Sequence, residues 1–337
     1  MTVRIGVIGT GNIGSDHIRR LTRVCTGAQV TAVTDIDPAR AAEVGSEYGA
    51  RALATGAEVI RDAEVDAVLV ASWGPTHADY VLEAIAEGKP VFCEKPLATT
   101  AEDCLRIVDA ELAHGSRLVQ VGFMRRYDAG YRALKQAVDA GRIGTPLIAH
   151  CAHRNPSVPE SYTSEMAVQD TAVHEIDVMR WLLDDEIISV QVLTPRRTGR
   201  AFEHLQDPQI VLFETANGVR IDLEVFVNCR FGYDIRCQVV GEDGAASLPQ
   251  PAQVPLLVEG REQQDVLQDW RDRFVQAYDR EIQEWVDSVA AKTVGGPSAW
   301  DGYAATVITD AGVEALASGA IVPVSIKDRP AFYGADL

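Results

Sequence analysis

The 337-residue chain has no apolar run approaching the roughly 20 residues of a membrane-spanning helix, so no such span is expected. Its six cysteines (Cys25, Cys93, Cys104, Cys151, Cys229 and Cys237) stand apart, with no C-x-x-C pair. Several lie in apolar strand-like runs, which leaves reduced, mostly buried thiols and suits the cytoplasm. Positive charge is scarce: 31 Lys and Arg face 49 Asp and Glu, a net charge of −18. Such a surface excludes non-specific binding to nucleic acid or to an anionic membrane. The opening MTVRIGVIGTG lacks a signal-peptide layout and goes straight into a strand, so a cytoplasmic protein is expected. Internal repeats, low-complexity tracts and a long linker are also missing.

What remains is a globular composition, 47% hydrophobic and 24% charged, in a chain too long for one ordinary core. The first third alternates strands and helices. The runs VRIGVIG, QVTAVTDI, VDAVLVAS, PVFCEK and RLVQVGF read as strands. IGSDHIRRLTRV, PARAAEVGSEYG, HADYVLEAIAEG and AEDCLRIVDAELAHG read as the helices between them. Continuous apolar strands alternating with helices predict a parallel sheet covered on both faces. After Phe123 the pattern changes. A helix (YRALKQAVDAGRIG) and a strand (PLIAHCAHR) precede longer strands with hairpin turns at Asn217-Gly218 and at GEDG. Two helices, 271–291 and 301–319, are expected near the end. The expected fold class is therefore α/β. A doubly wound Rossmann domain over 1–122 precedes an α+β domain over 123–337, with a large open, mainly antiparallel sheet; whether the last helix returns to pack on the first domain is left open.

The first turn, GVIGTGNIG, places Gly9, Gly11 and Gly14 in G-x-G-x-x-G spacing between a strand and a helix. Gly9 permits the tight turn, Gly11 leaves room for a pyrophosphate, and Gly14 lets helix and strand pack closely. The helix N-terminus, including Asn12 and Ile13, offers N–H groups and a positive dipole end. Asp35 ends the second strand, where a carboxylate accepts from adenosine ribose hydroxyls and repels a ribose phosphate. Arg40 comes only after a second acid, so NAD is expected rather than NADP. Asp37, before Pro38, is the better cap for the next helix. Past the following strands, SWGPTHADY offers Ser72, Pro75 or His77 to the cofactor.

Lys95 follows the strand of VFCEKP, where open parallel sheets bind ligands. Beside a nicotinamide it would stabilise a developing alkoxide, with Glu94 orienting it or touching cofactor. A surface ion pair at a strand end is the plain alternative.

In QDTAVHEIDVMRWLL, Asp170, His174 and Asp177 recur at helical spacing and are expected on one face. Oxidising a carbinol requires a base near neutral pKa, and histidine is the usual one. His174 is the candidate base, Asp170 its orienting partner, and Asp177 a ligand for a substrate hydroxyl. The alternative gives Asp170 a helix-cap role and pairs Asp177 with Arg180. Metal is not expected, since HEID is not HExxH and no cysteine pair accompanies His153, Asp170 and His174.

GVIGTGNIG, CEKP, GFMRRYDAGY, HCAHRNP and DTAVHEID together resemble the glucose-fructose oxidoreductase / inositol dehydrogenase (Gfo/Idh/MocA) family over nearly the whole chain. The resemblance is greatest on the inositol-oxidising side. It implies an NAD-dependent dehydrogenase that oxidises myo-inositol at a ring hydroxyl, with Lys95, Asp170 and His174 as the catalytic trio. It implies Met124, Arg125, His153, Asn155 and Tyr233 as substrate contacts. It also implies a homotetramer, for which the second-domain sheet offers a face. Scyllo-inositol, D-chiro-inositol or glucose as substrate is the nearest alternative. A non-catalytic NAD-binding regulator is another, though it would need none of the trio.

Overall fold

The computed structural model describes residues 2–251 and 254–334, which form two compact units. The first holds the chain up to Met124, then Tyr278–Thr306 and the segment from Asp328. Its strands are β1 (Val3–Ile8), β2 (Ala28–Thr34), β3 (Arg51–Ala52), β4 (Ala67–Val70), β5 (Val91–Glu94) and β6 (Val119–Gly122). Between them run α1 (Asn12–Arg23), α2 (Pro38–Tyr48), α3 (Gly56–Arg61), α4 (His77–Ala86) and α5 (Ala101–His114). The sheet order is β3-β2-β1-β4-β5-β6, all parallel. That is the doubly wound order, with its switch point between β1 and β4. β4, β5 and β6 are buried at every residue, as apolar runs covered on both faces must be. Short β3 and α3 carry no clear period in the sequence and are additions to the expected series.

The second unit comprises Arg125–Ala277 and Val307–Lys327. Its elements are α6 (Ala129–Asp139), β7 (Pro146–Arg154), α7 (Val173–Leu183), β8 (Ile187–Leu193), β9 (Gln209–Thr215), β10 (Arg220–Phe226), β11 (Asp234–Gly241) and β12 (Ala245–Ser247). The hairpin β13 (Leu256–Val258) and β14 (Arg261–Gln263) stands as a separate two-stranded sheet. Then come α8 (Trp270–Ala291), α9 (Ala299–Ser318) and β15 (Val322–Pro323). The large sheet runs β12-β11-β7-β10-β9-β8-β15. It is mixed, because β7 and β10 pair in parallel while their other neighbours are antiparallel.

Strand alternation assigns the two faces of this sheet. Ala149, Cys151, Ile221, Leu223, Val211 and Phe213 are buried on one. The other faces outward. It carries cross-strand ion pairs (Arg154–Glu224, Arg220–Glu214, His150–Asp222) among Ile148, Ile210, Leu212 and Leu193.

The helix expected over 271–291 is kinked at Phe274, whose backbone (φ −116°, ψ 17°) leaves the helical region. Its residues from Tyr278 on belong to the first unit, where Ile282, Trp285 and Val286 join the core of Ile5, Val7, Leu21 and Phe92. Trp285 is fully buried, and truncating such a residue to alanine costs about 3–5 kcal/mol. Beyond the 1–122 of the sequence reading, the first unit thus takes in Tyr278–Thr306, which includes the start of the last helix, because distant amphipathic stretches complete the first core.

Candidate functional site

In the first unit, the predicted cofactor residues cluster at and just beyond the carboxyl ends of parallel strands. Gly9, Asp35, Ser72 and Lys95 come after β1, β2, β4 and β5. Gly14 is held against the turn so tightly that an added Cβ would lie 2.0 Å from the Gly9 carbonyl oxygen. A Cβ at Gly11, by contrast, would meet no atom within 4 Å. Gly11 precedes α1 and supplies no side-chain cap, and the first turn holds no acid. The leading N–H groups, with those of Asn12 and Ile13, therefore suit an anion. This arrangement fits a dinucleotide pyrophosphate.

Asp35 is fixed rather than loose. Its Oδ2 accepts from the Thr10 backbone N–H at 2.6 Å and the Thr10 hydroxyl at 2.9 Å, and its Oδ1 from the Asp37 N–H at 3.1 Å. Burial acts to raise its pKa, but those hydrogen bonds and the charge of Arg40 hold it below the usual carboxylate value. Asp37 caps α2 through Ala39, as expected. Arg40, set aside in the sequence, folds back instead: Nη2 donates to the Ser15 hydroxyl at 3.0 Å, and Nε to the Thr10 carbonyl at 3.4 Å.

His77 requires a correction. It is 2% exposed, with Nδ1 2.7 Å from the Pro96 carbonyl oxygen and Nε2 3.0 Å from that of Ser72. A neutral ring donates to one of these carbonyls at a time, and the residue ties the Ser72 turn to the segment after Lys95. Ser72 is half-buried and shares a 2.7 Å hydrogen bond with the Thr76 hydroxyl. Glu94 is buried beneath Lys95. It pairs with Nε2 of His17 at 2.6 Å and accepts from the Lys95 backbone N–H at 3.2 Å. Sequence reading missed His17, although it lies three residues past Gly14 on the buried face of α1. Lys95 itself is half-buried.

In the second unit, the Asp170 segment is not one α-helix. Ala167–Ala172 form a π-helical turn that passes into α7 at Val173. The wider π turn takes Asp170 off the simple α ladder, and such turns recur at functional sites. Asp170 and His174 are half-buried, whereas Asp177 is buried. The negative field of Asp170, after burial, helps raise the pKa of neighbouring Tyr162. Arg180 is engaged with Glu186. Asp177 forms a buried two-bond pair with Arg126, at 3.0 and 2.6 Å.

β7 delivers His153 to the buried sheet face, beside two other predicted residues. Its ring is 6.2 Å from that of His174 and edge-on to Tyr233 at 5.8 Å. Burial, set against the charge of Arg125, pushes the Tyr233 hydroxyl up to about 12, so it is a neutral hydrogen-bonding group at physiological pH. Asn155 is half-buried and held by its backbone to Phe226 and Cys229. Met124 is 2% exposed, the last residue of the first unit's opening segment.

Arg125 is also corrected. It is 1% exposed and lies behind His153, one terminal nitrogen on Glu175 and the other 3.1 Å from His153 Nδ1. Glu175 Oε2 is 3.0 Å from the same Nδ1. Burial acts to raise the Glu175 pKa, but the charge of Arg125 and the His153 contact hold it below the usual range. Sequence reading passed over Glu175, although it adjoins His174.

Comparison with known proteins agrees with this layout. Residues 3–123 match an "Oxidoreductase family, NAD-binding Rossmann fold" domain, and 135–326 match an "Oxidoreductase family, C-terminal alpha/beta domain". The chain is 68% identical over 334 residues to inositol 2-dehydrogenase 3 of Saccharopolyspora erythraea, covering 99% of each. Among solved structures, myo-inositol dehydrogenase from Lactobacillus casei, in complex with NAD(H) and myo-inositol, superposes with a TM-score of 0.97. That pair is 43% identical, with 99% of this chain and 100% of that one covered. Scyllo-inositol dehydrogenase from Lactobacillus casei, with bound NAD(H) and scyllo-inositol, gives 0.89 at 26% identity over 96% of this chain and 99% of that one.

Proposed function

Because the chain belongs to the Gfo/Idh/MocA oxidoreductase family, we propose that it is an NAD-dependent inositol 2-dehydrogenase, oxidising myo-inositol to scyllo-inosose. The full-length identity to inositol 2-dehydrogenases carries this reading. NAD, when bound, accepts the hydride. His174 takes the hydroxyl proton as general base, and Asp170 steadies the imidazole and its protonated form. Lys95 stabilises the oxygen as the ketone forms, with its backbone set by Glu94 and His17. His153, Asn155, Asp177 and Tyr233 receive polyol hydroxyls, with Met124 as an apolar contact, while Arg125 acts from behind His153. The gathering of His153, His174 and Tyr233 supports that assignment.

Inositol catabolism in the cytoplasm is the proposed setting, supported by six unbridged cysteines. No helix among the described residues is long and apolar enough to cross a membrane. We also propose a homotetramer through the outward face of the second-unit sheet, where Ile148 and Leu193 stand exposed among the ion pairs. Light scattering of the purified protein tests it, and a monomer at micromolar concentration refutes it.

The assay is NAD and NADP reduction with myo-, scyllo- and D-chiro-inositol, glucose and xylose at mildly alkaline pH. The expected dominant rate is NAD with myo-inositol. A scyllo-inositol preference would retain the chemistry and discard the pocket assignment; it is the second reading, set lower by the 26% likeness against 43%. Lys95→Met and His174→Gln are each expected to lower kcat by roughly 10²–10⁴. NAD binding without turnover on any polyol would support a regulator instead.

A further inference from the structure

Glu175, Arg125 and His153 form a closed triangle inside the second unit. Glu175 and Arg125 are each 1% exposed and His153 is 3% exposed. One Glu175 oxygen pairs with Arg125 Nη1, while the other lies 3.0 Å from His153 Nδ1. Arg125 Nη2 lies 3.1 Å from the same Nδ1. Nδ1 has one position for either a proton or a lone pair, so it serves one neighbour and not both. In the neutral ring, an Nδ1 that carries the proton donates to Glu175 and leaves Nε2 an acceptor. If it is bare, it accepts from Arg125, and Nε2 carries the proton. These alternatives present opposite faces to whatever His153 meets.

The balance favours donation to Glu175. A buried carboxylate oxygen facing an imidazole lone pair loses a charge-assisted hydrogen bond and its solvation together. Arg125 loses less in the converse case. It has five N–H groups, its Nη1 keeps the second Glu175 oxygen, and its guanidinium sits 5.6 Å over the Phe274 ring.

We infer that Glu175 is a positioning residue that, braced by Arg125, holds His153 in the Nδ1-protonated tautomer, so that Nε2 accepts a hydrogen bond from a substrate hydroxyl. The inference rests on the proposed function only in taking His153 as a substrate contact. It adds a specificity rule: the hydroxyl at that position must donate, so an analogue with fluorine there is rejected although fluorine is small. A histidine held by a carboxylate through its far nitrogen is the arrangement by which proteins generally fix imidazole tautomers.

The test is ¹⁵N–¹H long-range NMR of the histidine rings in the full-length, substrate-free protein, with the His153 ring assigned by through-bond correlation to its own backbone. Wild type is expected to show protonated Nδ1 and bare Nε2. Protonated Nε2 in wild type overturns the inference, whether or not any variant folds. In Glu175→Gln the tautomer is expected to flip. KM for myo-inositol should rise about tenfold, the worth of one hydrogen bond, while KM for NAD stays within twofold. Glu175→Asp should restore part of the loss. A fall in kcat alone, with KM for myo-inositol unchanged, would also overturn it. Failure of wild type to oxidise any inositol sinks the function proposal but leaves the tautomer prediction standing and measurable.

Discussion

Oδ2 of Asp35 accepts from both the backbone N–H and the hydroxyl of Thr10, at 2.6 and 2.9 Å, so the carboxylate after β2 is locked to the glycine-rich turn after β1. Arg40 lies against the same turn through Ser15 and Thr10. Asp35→Ala is therefore expected to do two things. It weakens NAD by roughly ten- to a hundredfold, through loss of hydrogen bonds to a charged acceptor. It also raises the relative rate with NADP, because a guanidinium is already present for the 2′-phosphate. Initial rates with both cofactors check this. An unchanged NADP/NAD ratio would mean that Arg40 is not positioned to help.

The glycines of the turn should separate cleanly. A Cβ at Gly14 collides with the Gly9 carbonyl, whereas one at Gly11 meets nothing within 4 Å. Gly14→Ala is expected to cost about 1–3 kcal/mol of stability through overpacking. Gly11→Ala should leave Tm unchanged and still weaken NAD, because the methyl occupies the space reserved for pyrophosphate. Thermal melts with and without NAD distinguish them.

Arg126 and Asp177 form a buried, two-bond ion pair with side chains 8% and 1% exposed. Removing only the arginine strands a buried carboxylate, so Arg126→Met is expected to destabilise by about 3–5 kcal/mol. The double variant Arg126→Met/Asp177→Leu should recover a large part of that stability, yet lose affinity for myo-inositol if Asp177 binds a hydroxyl. Urea unfolding and KM together read both halves. A fully stable single variant would contradict the pairing.

Glu111 gives a pH test. It is 0% exposed and accepts from the backbone N–H groups of Leu118 and Val119, at 2.6 and 2.8 Å, and from the Tyr333 hydroxyl at 2.8 Å. Burial raises its pKa above 4.5 despite those bonds. The native state therefore binds more protons than the unfolded chain between 4.5 and the raised value. Stability contributed by this group must fall as pH rises through that window. Glu111→Gln is expected to flatten that part of the Tm-versus-pH curve. Parallel curves for the two proteins would reject the assignment.

Much of this was legible beforehand, for a reason rooted in chain geometry. Val- and Ile-rich runs alternating with amphipathic helices determine a parallel sheet. The G-x-G-x-x-G spacing and Asp35 then follow from strand ends, since the residues that meet there lie close to recognisable local signals. The Asn217-Gly218 hairpin was legible too, although Gly218 alone adopts a left-handed conformation (φ 87°). Candidate residues on single elements, Lys95, His174 and His153, could be named from residue type and position.

The tertiary structure alone decided what those side chains touch. Arg125 and His77 looked like ligand contacts, yet burial gave both of them protein partners, because an unpaired polar group in the interior is costly. Arg126 and Asp177 lie 51 residues apart, and Glu175 reaches Arg125 across 50, so no local period announces either pair. The π turn at Asp170 and the kink at Phe274 leave no composition signal, since both arise from how a helix is packed rather than from its propensity. Ile282 and Trp285 completing the first core shows the same thing: an amphipathic stripe fixes that a face will be buried, and only the folded chain fixes against what.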